Sequence, residues 1–434
     1  MSAAVSQRSV RVVLGDSAFD VGMLTYRKEG ARENSTFAYS GSWLSTADRF
    51  SISPDLPLVS GHQYRRASSR EDSVFHFCFA DTEPDGWGCK VIARDHAKRR
   101  KSDLAAQRPI AATALTELDY LLGVDDVSRV GALRMVDDSG RFLRTIEDGC
   151  HGTPPLLELR DLINATRAVE LGKETAADLR YLRGRGTSLG GMRPKCSIVD
   201  DDGLLAIGKF PSVADERSVT RGEVLALHLA GKAGINVAQS RIEMSDDVPV
   251  AVIRRFDRLM EGGRIPYLSA ASLLQASRQD DHAYTEIAEH MIVLSADPTR
   301  DLEELWRRIV FNLLIANVDD HLQNHGFLYV GNGLWRLAPA FDINPFPDKD
   351  PELKLWLTEE SGPVDSIASV LDVAPRFHLS RAKAIQILGE VVTAVRGWKR
   401  IAKSSSVGMS AADISDFEPA FEHAQAQAAT KLLR

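Results

Sequence analysis

The sequence predicts an α+β protein in which a β-rich first part is followed by a mostly α-helical second part. Short runs with strand character, among them Val10 to Leu14 and Val21 to Tyr26, open the chain and recur as far as residue 256. Beyond that point, apolar residues in the segments 270–294 and 301–317 recur at helical spacing. With 434 residues and 44% hydrophobic composition, the chain can form two or three domains, each with a core of its own.

Composition argues against several classes of protein. The four cysteines, Cys78, Cys89, Cys150 and Cys196, form no C-x-x-C pair, so neither a zinc site nor a disulfide framework is indicated, and reduced thiols in the cytoplasm are expected. No apolar run approaches the roughly 20 residues of a membrane span, and the first ten residues lack the apolar core of a signal peptide. The net charge of -7 argues against a protein that coats nucleic acid.

The first part, residues 1–148, is expected to be a β-rich subdomain. Its strands are followed by the segment ADTEPDGWG (80–88), whose turn-forming residues cap a helix that begins near Trp87. The basic run KRRKSD (98–103) is interpreted as the solvated end of a helix, with phosphate contact as the alternative. Glycines and prolines between residues 141 and 155 interrupt the pattern and mark the end of this subdomain.

The second part, residues 149–260, combines a glycine-rich segment with a lysine on a strand. In GRGTSLGGMRPK (184–195) the glycines permit positive φ, so successive N–H groups could surround phosphate oxygens, although a plain surface loop would use the same residues. Lys209 stands near the end of the second of two predicted strands. We expect it to pair with Glu223 in the next helix and to contact nucleotide phosphates, as in kinases; an exposed strand position is the alternative.

The third part, residues 261–434, is organised around one helix and the loop that follows it. Apolar residues at helical spacing predict an amphipathic helix over 301–317. A polar loop follows at 319–325, and two short strands over 327–337 with a glycine-containing turn predict a hairpin. The hairpin returns the chain to its starting end, so Asp342 is expected beside the polar loop.

Two carboxylates and a carboxamide are thereby predicted at one place. Such hard oxygen ligands suit Mg²⁺, which takes one or two carboxylates and otherwise keeps waters and substrate phosphates. In protein kinases a catalytic Asp is followed five positions later by a metal-binding Asn, and Asp319 and Asn324 have that spacing. Asp320 is one residue short of it, so Asp319 is assigned as the base and Asp320 as a supporting charge. A solvated turn after a core helix is the alternative interpretation of this loop.

These predictions combine into an α+β, bilobal protein-kinase-like fold, with an additional N-terminal β-rich subdomain and a mostly α-helical C-terminal lobe. The domain boundaries are predicted at 1–148 for the N-terminal subdomain, 149–260 for the kinase N-lobe and 261–434 for the C-lobe. A nucleotide is expected between the two lobes.

Taken together, the motifs resemble those of the HipA family of type II toxin–antitoxin kinases over nearly the whole chain. ADTEPDGWG is similar to the family's N-terminal signature, GGMRPK to its glycine-loop segment and RRFDR to the end of its inter-lobe strand. NVDDHLQNHGF resembles the catalytic loop and LAPAFDINP the metal-binding segment.

The resemblance implies a role for each matching residue. Asp319 is implied as the catalytic base, Asn324 and Asp342 as the Mg²⁺ ligands, and Lys209 as the contact to the ATP phosphates. Ser188 falls where the family carries an autophosphorylated serine, and the neighbouring Thr187 is the alternative acceptor. Further cofactor-binding residues are implied at Glu223, Gly190, Gly191, Lys195, His321, Arg254 and Phe256.

The resemblance also implies an activity and partners. The expected activity is ATP- and Mg²⁺-dependent phosphorylation of serine or threonine in a cytoplasmic protein, for which glutamyl-tRNA synthetase, an aminoacyl-tRNA synthetase, is one kind of target. The expected partner is a small, DNA-binding, HipB-like antitoxin. DNA would be contacted only through that complex, in which a homodimer can form, and no membrane is involved. Two alternatives remain: a small-molecule phosphotransferase, and a non-catalytic co-repressor subunit that binds no ATP.

Overall fold

The computed structural model describes residues 5–69, 71–108, 114–143, 156–182, 191–277 and 279–434. The chain divides into two compact units. Unit 1 comprises Met1–Val213, Asp257–Leu268 and Ser277–Gln279, and unit 2 comprises Ala214–Phe256, Ser269–Ala276 and Asp280–Arg434. Both units contain helices and strands, whereas the predicted division into three domains stays a prediction. Among the described helices, none has the length and apolar character needed to cross a membrane.

Unit 1 is built on an antiparallel sheet. Its strands are β1 (Val5–Leu14), β2 (Phe19–Glu29), β3 (Arg32–Tyr39), β4 (Gln63–Arg65), β5 (Leu133–Val136), β6 (Lys195–Val199) and β7 (Leu205–Lys209). The first five form one sheet in the order β4-β3-β2-β1-β5. Because side chains alternate between the two faces of a strand, β3 buries Phe37 and Tyr39 together, and Phe37 packs on Phe79 at 5.3 Å between ring centroids. The strands predicted at the start of the chain are confirmed.

The helices of unit 1 cover and extend this sheet. They are α1 (Gly41–Ser45), α2 (Phe77–Ala80), α3 (Gly86–Ala105), α4 (Glu117–Leu121), α5 (Leu159–Leu171) and α6 (Ala176–Leu182), with a 3-10 turn at Leu156–Glu158. Helix α3 begins where the sequence predicts, because the Asp85 side chain caps it by accepting a hydrogen bond from Gly88 N at 2.6 Å. Trp87 follows the cap and is buried.

A buried arginine holds together the loops around the segment ADTEPDGWG. Arg129 is 1% exposed, and its guanidinium donates to Thr82 O and Oγ1 at 3.2 Å each, to Leu121 O at 3.0 Å and to Val124 O at 3.1 Å. Burial lowers the pKa of Arg129 to about 10, which leaves the group charged at neutral pH. The segment is therefore fixed by the core of unit 1.

Unit 2 is mostly helical. Its helices are α7 (Val219–Lys232), α8 (Ala270–Leu274), α9 (Tyr284–Leu294), α10 (Pro298–Leu314), α11 (Ile367–Asp372), α12 (Arg381–Arg396), α13 (Trp398–Ala402), α14 (Ala411–Phe421) and α15 (Ala424–Leu432), with 3-10 turns at Leu322–Asn324 and Ala374–Phe377. Its strands form the antiparallel pairs β8 (Ser240–Ser245) with β9 (Val248–Arg254), β11 (Gly326–Gly331) with β12 (Leu334–Leu337), and β13 (Leu353–Trp356) with β14 (Pro363–Val364). The short strand β10 (Tyr267–Ser269) lies where the chain passes from unit 1 to unit 2.

Helix α10 forms the core of unit 2. Asp297 caps its first turn and Pro298 occupies the first helical position, where a missing N–H costs nothing. Leu305, Trp306 and Ile309 are each 0% exposed, as expected for the apolar face of an amphipathic helix. Near the start of the helix, the carboxylate of the buried Asp301 accepts hydrogen bonds from two guanidinium nitrogens of Arg336 in β12, at 2.9 to 3.1 Å. This pair connects the hairpin to the helix.

Candidate active site

The end of α10 delivers the polar loop. The helix ends at Leu314, three residues earlier than the sequence predicts, because Ala316 adopts a left-handed backbone with φ 51°. Asn317 N then bonds to Asn312 O at 2.9 Å and Ala316 N to Leu313 O at 3.3 Å, which is the hydrogen-bond pattern of a Schellman cap. The chain leaves the helix sharply and enters the loop at Val318.

The two adjacent aspartates of this loop lie in opposite environments. The side chain of Asp319 is 59% exposed, and its Oδ1 lies 3.7 Å from Lys354 Nζ. Asp320 is 3% exposed. An exposed carboxylate can meet the hydroxyl of an acceptor, whereas a buried one cannot, so the geometry favours Asp319 over Asp320 as the base.

Asp320 is held by three donors inside unit 2. Its Oδ2 accepts hydrogen bonds from the hydroxyl of Tyr284, from Asn312 Nδ2 at 2.9 Å and from His325 Nε2 at 3.0 Å. Burial alone would raise the pKa of this carboxyl, but the nearby His325 and the hydrogen bonds from His325 and Tyr284 outweigh it, and the pKa lies below its usual range. Asp320 is thus an ionised anchor beneath the loop.

A chain of amide side chains connects this anchor to the segment that contains Asp342. Asn312, which donates to Asp320, accepts at Oδ1 from Asn317 Nδ2 at 3.2 Å. Asn317 Oδ1 in turn accepts from Asn344 N at 3.0 Å. Asn344 Nδ2 then donates to Asp342 Oδ1 at 3.1 Å. The loop after α10 and the segment after the hairpin are therefore fixed relative to each other, as the predicted hairpin return requires.

Asp342 has an unusual backbone conformation. Its φ is 54°, in the left-handed region that costs an L-residue roughly 1–2 kcal/mol, although Asp and Asn tolerate it best. The segment is supported on the other side by the bond from Phe346 N to Ala316 O at 3.1 Å. Such strained conformations cluster at functional sites, where the surrounding structure imposes them.

Neighbouring charged groups influence the pKa of His321. Burial lowers its pKa, while the carboxylates of Asp319, Asp320 and Asp342 raise it and Lys354 lowers it, and the net direction is downward. The three carboxylates therefore favour the protonated imidazole, and burial opposes them.

Asn324 and Asp342, the predicted Mg²⁺ ligands, carry oxygens of the type that this ion prefers. Asn324 Nδ2 donates to Asp319 O at 3.3 Å, and because a carbonyl oxygen only accepts, the Asn324 side-chain oxygen must be turned away from it. That oxygen and the Asp342 carboxylate are hard oxygen ligands of the kind that Mg²⁺ prefers. Among the described residues, no group of three or more His, Cys, Asp or Glu side chains could hold a metal ion. One carboxylate and one carboxamide would leave the remaining ligands of Mg²⁺ to water and phosphate.

In unit 1, the end of the glycine-rich segment is tied to the cap of α3. Lys195 is 2% exposed, and its Nζ lies 3.2 Å from Asp85 Oδ2. Lys195 stands directly opposite Lys209 in the β6–β7 pair, where like charges repel, and Asp85 offsets that repulsion. Gly191 has φ 92°, and a Cβ there would come within 3.0 Å of the Lys195 ammonium, so only glycine fits without displacement. Asp85 is a partner of Lys195 that the sequence did not reveal.

The remaining predicted residues are distributed as follows. In unit 2, Glu223 is 3% exposed within α7, Arg254 ends β9 and bonds to Gln239, and Phe256 packs on Phe341 at 5.3 Å. Gly190, Thr187, Ser188 and the predicted domain boundary at residue 148 lie outside the described residues.

The chain is similar to known proteins along most of its length. Residues 10–108 match the HipA N-terminal domain and residues 187–398 the HipA-like C-terminal domain. A Sinorhizobium fredii protein named "Putative kinase Y4mE" is 26% identical over 364 residues, which are 77% of this chain and 78% of that protein. A Haemophilus influenzae protein named "Putative kinase" is 23% identical over 188 residues, 38% of this chain and 55% of that protein.

A solved structure shows the same fold. HipA of Shewanella oneidensis MR-1, from a toxin–antitoxin complex with HipB and operator DNA, superposes with a TM-score of 0.69 and 15% identity, over 98% of this chain and 97% of that one. The fold is of the α+β, protein-kinase-like class, as the sequence predicts. The two matched domains place it further: this chain belongs to the HipA family.

Sequence reasoning missed several residues of the site. Tyr284 and Lys354 come from α9 and β13, remote in the chain, and no local pattern indicates them. Asn312 does leave a signal, because it falls seven residues after Leu305 on the apolar face of α10. A polar residue on such a face needs a hydrogen-bonding partner in the core, and here the partner is Asp320.

Proposed function

We propose that this chain is an ATP-dependent kinase that phosphorylates serine or threonine in a cytoplasmic protein. The observation that carries the proposal is the pair of adjacent aspartates, one exposed beside Asn324 and one anchored in the core, together with the amide chain that fixes Asp342 to the same loop. Phosphoryl transfer depends on positioning more than on covalent chemistry, and this arrangement holds an exposed carboxylate on an anchored loop.

Asp319 would accept the proton of the acceptor hydroxyl as its oxygen attacks the γ-phosphorus. Asn324 and Asp342 would hold Mg²⁺, which when bound neutralises charge on the β- and γ-phosphates. Asp320, held by hydrogen bonds from Tyr284 and His325, would fix the position of the loop and so of Asp319. The exposure of Asp319 and the burial of Asp320 support this proposal.

The residues expected to bind the nucleotide are Lys209 and Glu223, with Gly190 and Gly191 of the glycine-rich segment, Lys195, His321, Arg254 and Phe256. Lys209 is proposed to contact the phosphates, and Lys209→Ala is expected to weaken ATP binding. Lys195 is already paired with Asp85, so we propose that it acts mainly by fixing the end of the glycine-rich segment.

Regulation and partners are proposed from family membership. A small HipB-like, DNA-binding antitoxin is the expected partner, since the Shewanella HipA was solved with HipB and operator DNA. Ser188, or Thr187 beside it, is the proposed autophosphorylation site. A phosphate there adds about −1.5 to −2 charges, which would repel the phosphates of ATP and so inactivate the protein. An aminoacyl-tRNA synthetase such as glutamyl-tRNA synthetase is the first target to test.

The experiment is incubation of the purified chain with Mg²⁺ and ATP labelled on its γ-phosphate, alone and with glutamyl-tRNA synthetase, followed by mapping of the modified residues. The matched control for Asp319→Asn is Asp416→Asn, an exposed aspartate on α14. We expect labelled protein with the wild type and Asp416→Asn, and none with Asp319→Asn. Label that appears only on a small hydroxylated compound, or on nothing, would overturn the proposal.

A further inference from the structure

Lys354 is held beside the loop by the backbone. Its N–H donates to Val318 O at 3.0 Å, next to Asp319 in the chain. Strand β13 buries its neighbours Leu353, at 0% exposed, and Leu355, at 4%. Because strand residues alternate in direction, Lys354 must point away from that core, and its ammonium lies 3.7 Å from Asp319 Oδ1.

This ion pair contributes little to the stability of the fold. The side chains of Lys354 and Asp319 are 62% and 59% exposed, and exposed pairs contribute about 0–1 kcal/mol at most. Stability therefore does not explain why a strand presents a cation at the proposed base.

A fixed cation beside Asp319 would add to the positive charge that Mg²⁺ supplies at the transferring phosphoryl group. Charge develops on its three equatorial oxygens, and fixed positive groups are what lower the barrier. The loop from Asp319 to Asn324, with the sequence DDHLQN, contains no lysine or arginine. The cation that the structure brings to Asp319 comes instead from β13.

We propose that Lys354 is a catalytic residue that contacts the γ-phosphoryl oxygens during transfer, an inference that rests on the proposed kinase function. The acceptor oxygen forms a bond to the γ-phosphorus as its proton passes to Asp319, and the bond from the γ-phosphorus to the bridging oxygen breaks, leaving ADP with the electron pair. Lys354 keeps its proton throughout and supplies charge only. It turns from the Asp319 carboxylate to the phosphoryl group as the carboxylate takes up the proton.

The test compares Lys354→Met, which keeps the length of the side chain without its charge, with Lys354→Arg, which keeps the charge. The control is Lys383→Met, which removes another partly exposed lysine that pairs with a carboxylate, Glu303 at 3.0 Å, on a different surface of unit 2. Three quantities are measured: kcat for protein phosphorylation, Kd for ATP, and Kd for ADP with aluminium fluoride, an analogue of the transition state.

We expect Lys354→Met to lower kcat by about 10- to 100-fold, less than the loss of a fully enclosed donor, and to weaken the analogue by a similar factor. ATP affinity and the urea midpoint should stay near those of the wild type. Lys354→Arg should recover most of the loss, and Lys383→Met should resemble the wild type. If the wild type transfers phosphate and Lys354→Met does so equally well, the role of Lys354 is refuted while the kinase function stands. A wild type without any transfer refutes both.

Discussion

Replacement of Asp320 by asparagine is predicted to destabilise unit 2 strongly. The carboxylate is 3% exposed and accepts three hydrogen bonds on Oδ2, from Tyr284, Asn312 and His325. Hydrogen bonds to a charged group contribute about 1.5–3 kcal/mol each and neutral ones about 0.5–1.5, so losing the charge weakens each bond by about 1 kcal/mol. The sum is a loss of about 3 kcal/mol. With a urea slope of about 3 kcal/mol per M, the midpoint should fall by about 1 M.

The matched control is the same substitution one residue earlier. Asp319 is more than half exposed, so Asp319→Asn should change the free energy of unfolding by no more than about 0.5 kcal/mol. Urea unfolding followed by tryptophan fluorescence measures both variants against the wild type. An Asp320→Asn protein with the midpoint of the wild type would show that the buried network does not hold the loop.

Two further predictions concern the buried Arg129 and the partly buried His321. Arg129→Lys should lower the stability of unit 1 by about 2–4 kcal/mol in urea unfolding, because an ammonium cannot reach all four oxygens that the guanidinium bonds and would leave some of them buried without a donor. For His321, burial lowers the folded-state pKa, so the unfolded chain takes up a proton first as the pH falls. Its contribution to stability should be complete above about pH 6.5 and decline below it towards the folded-state pKa. In His321→Gln this part of the decline between pH 8 and pH 5.5 should disappear; an unchanged profile would contradict it.

Local pattern was enough to predict the elements that deliver the site. The apolar spacing of α10 and the turn residues between β11 and β12 depend on neighbours within a few residues, and both are confirmed. The spacing of Asp319 and Asn324 is also a local feature of the sequence, because a single loop carries both residues.

What the sequence could not give depends on long-range contacts. Which of the two adjacent aspartates is buried is decided by Tyr284 and His325, and by a left-handed turn at Ala316, a residue type that gives no signal for that conformation. The partner of Lys195 is likewise 110 residues away, at Asp85. Packing of distant segments selects these pairs, and no periodicity within one segment records them.

The variant Asp319→Asn tests most directly whether Asp319 is the base and Asp320 only anchors the loop. Phosphoryl transfer and Mg-ATP affinity are both measured on this variant. We predict an affinity close to that of the wild type and a transfer rate lower by about 10²- to 10⁴-fold, the range for loss of a general base. Near-normal transfer by Asp319→Asn, alongside a folded but inactive Asp320→Asn, would contradict this assignment and move the base by one residue.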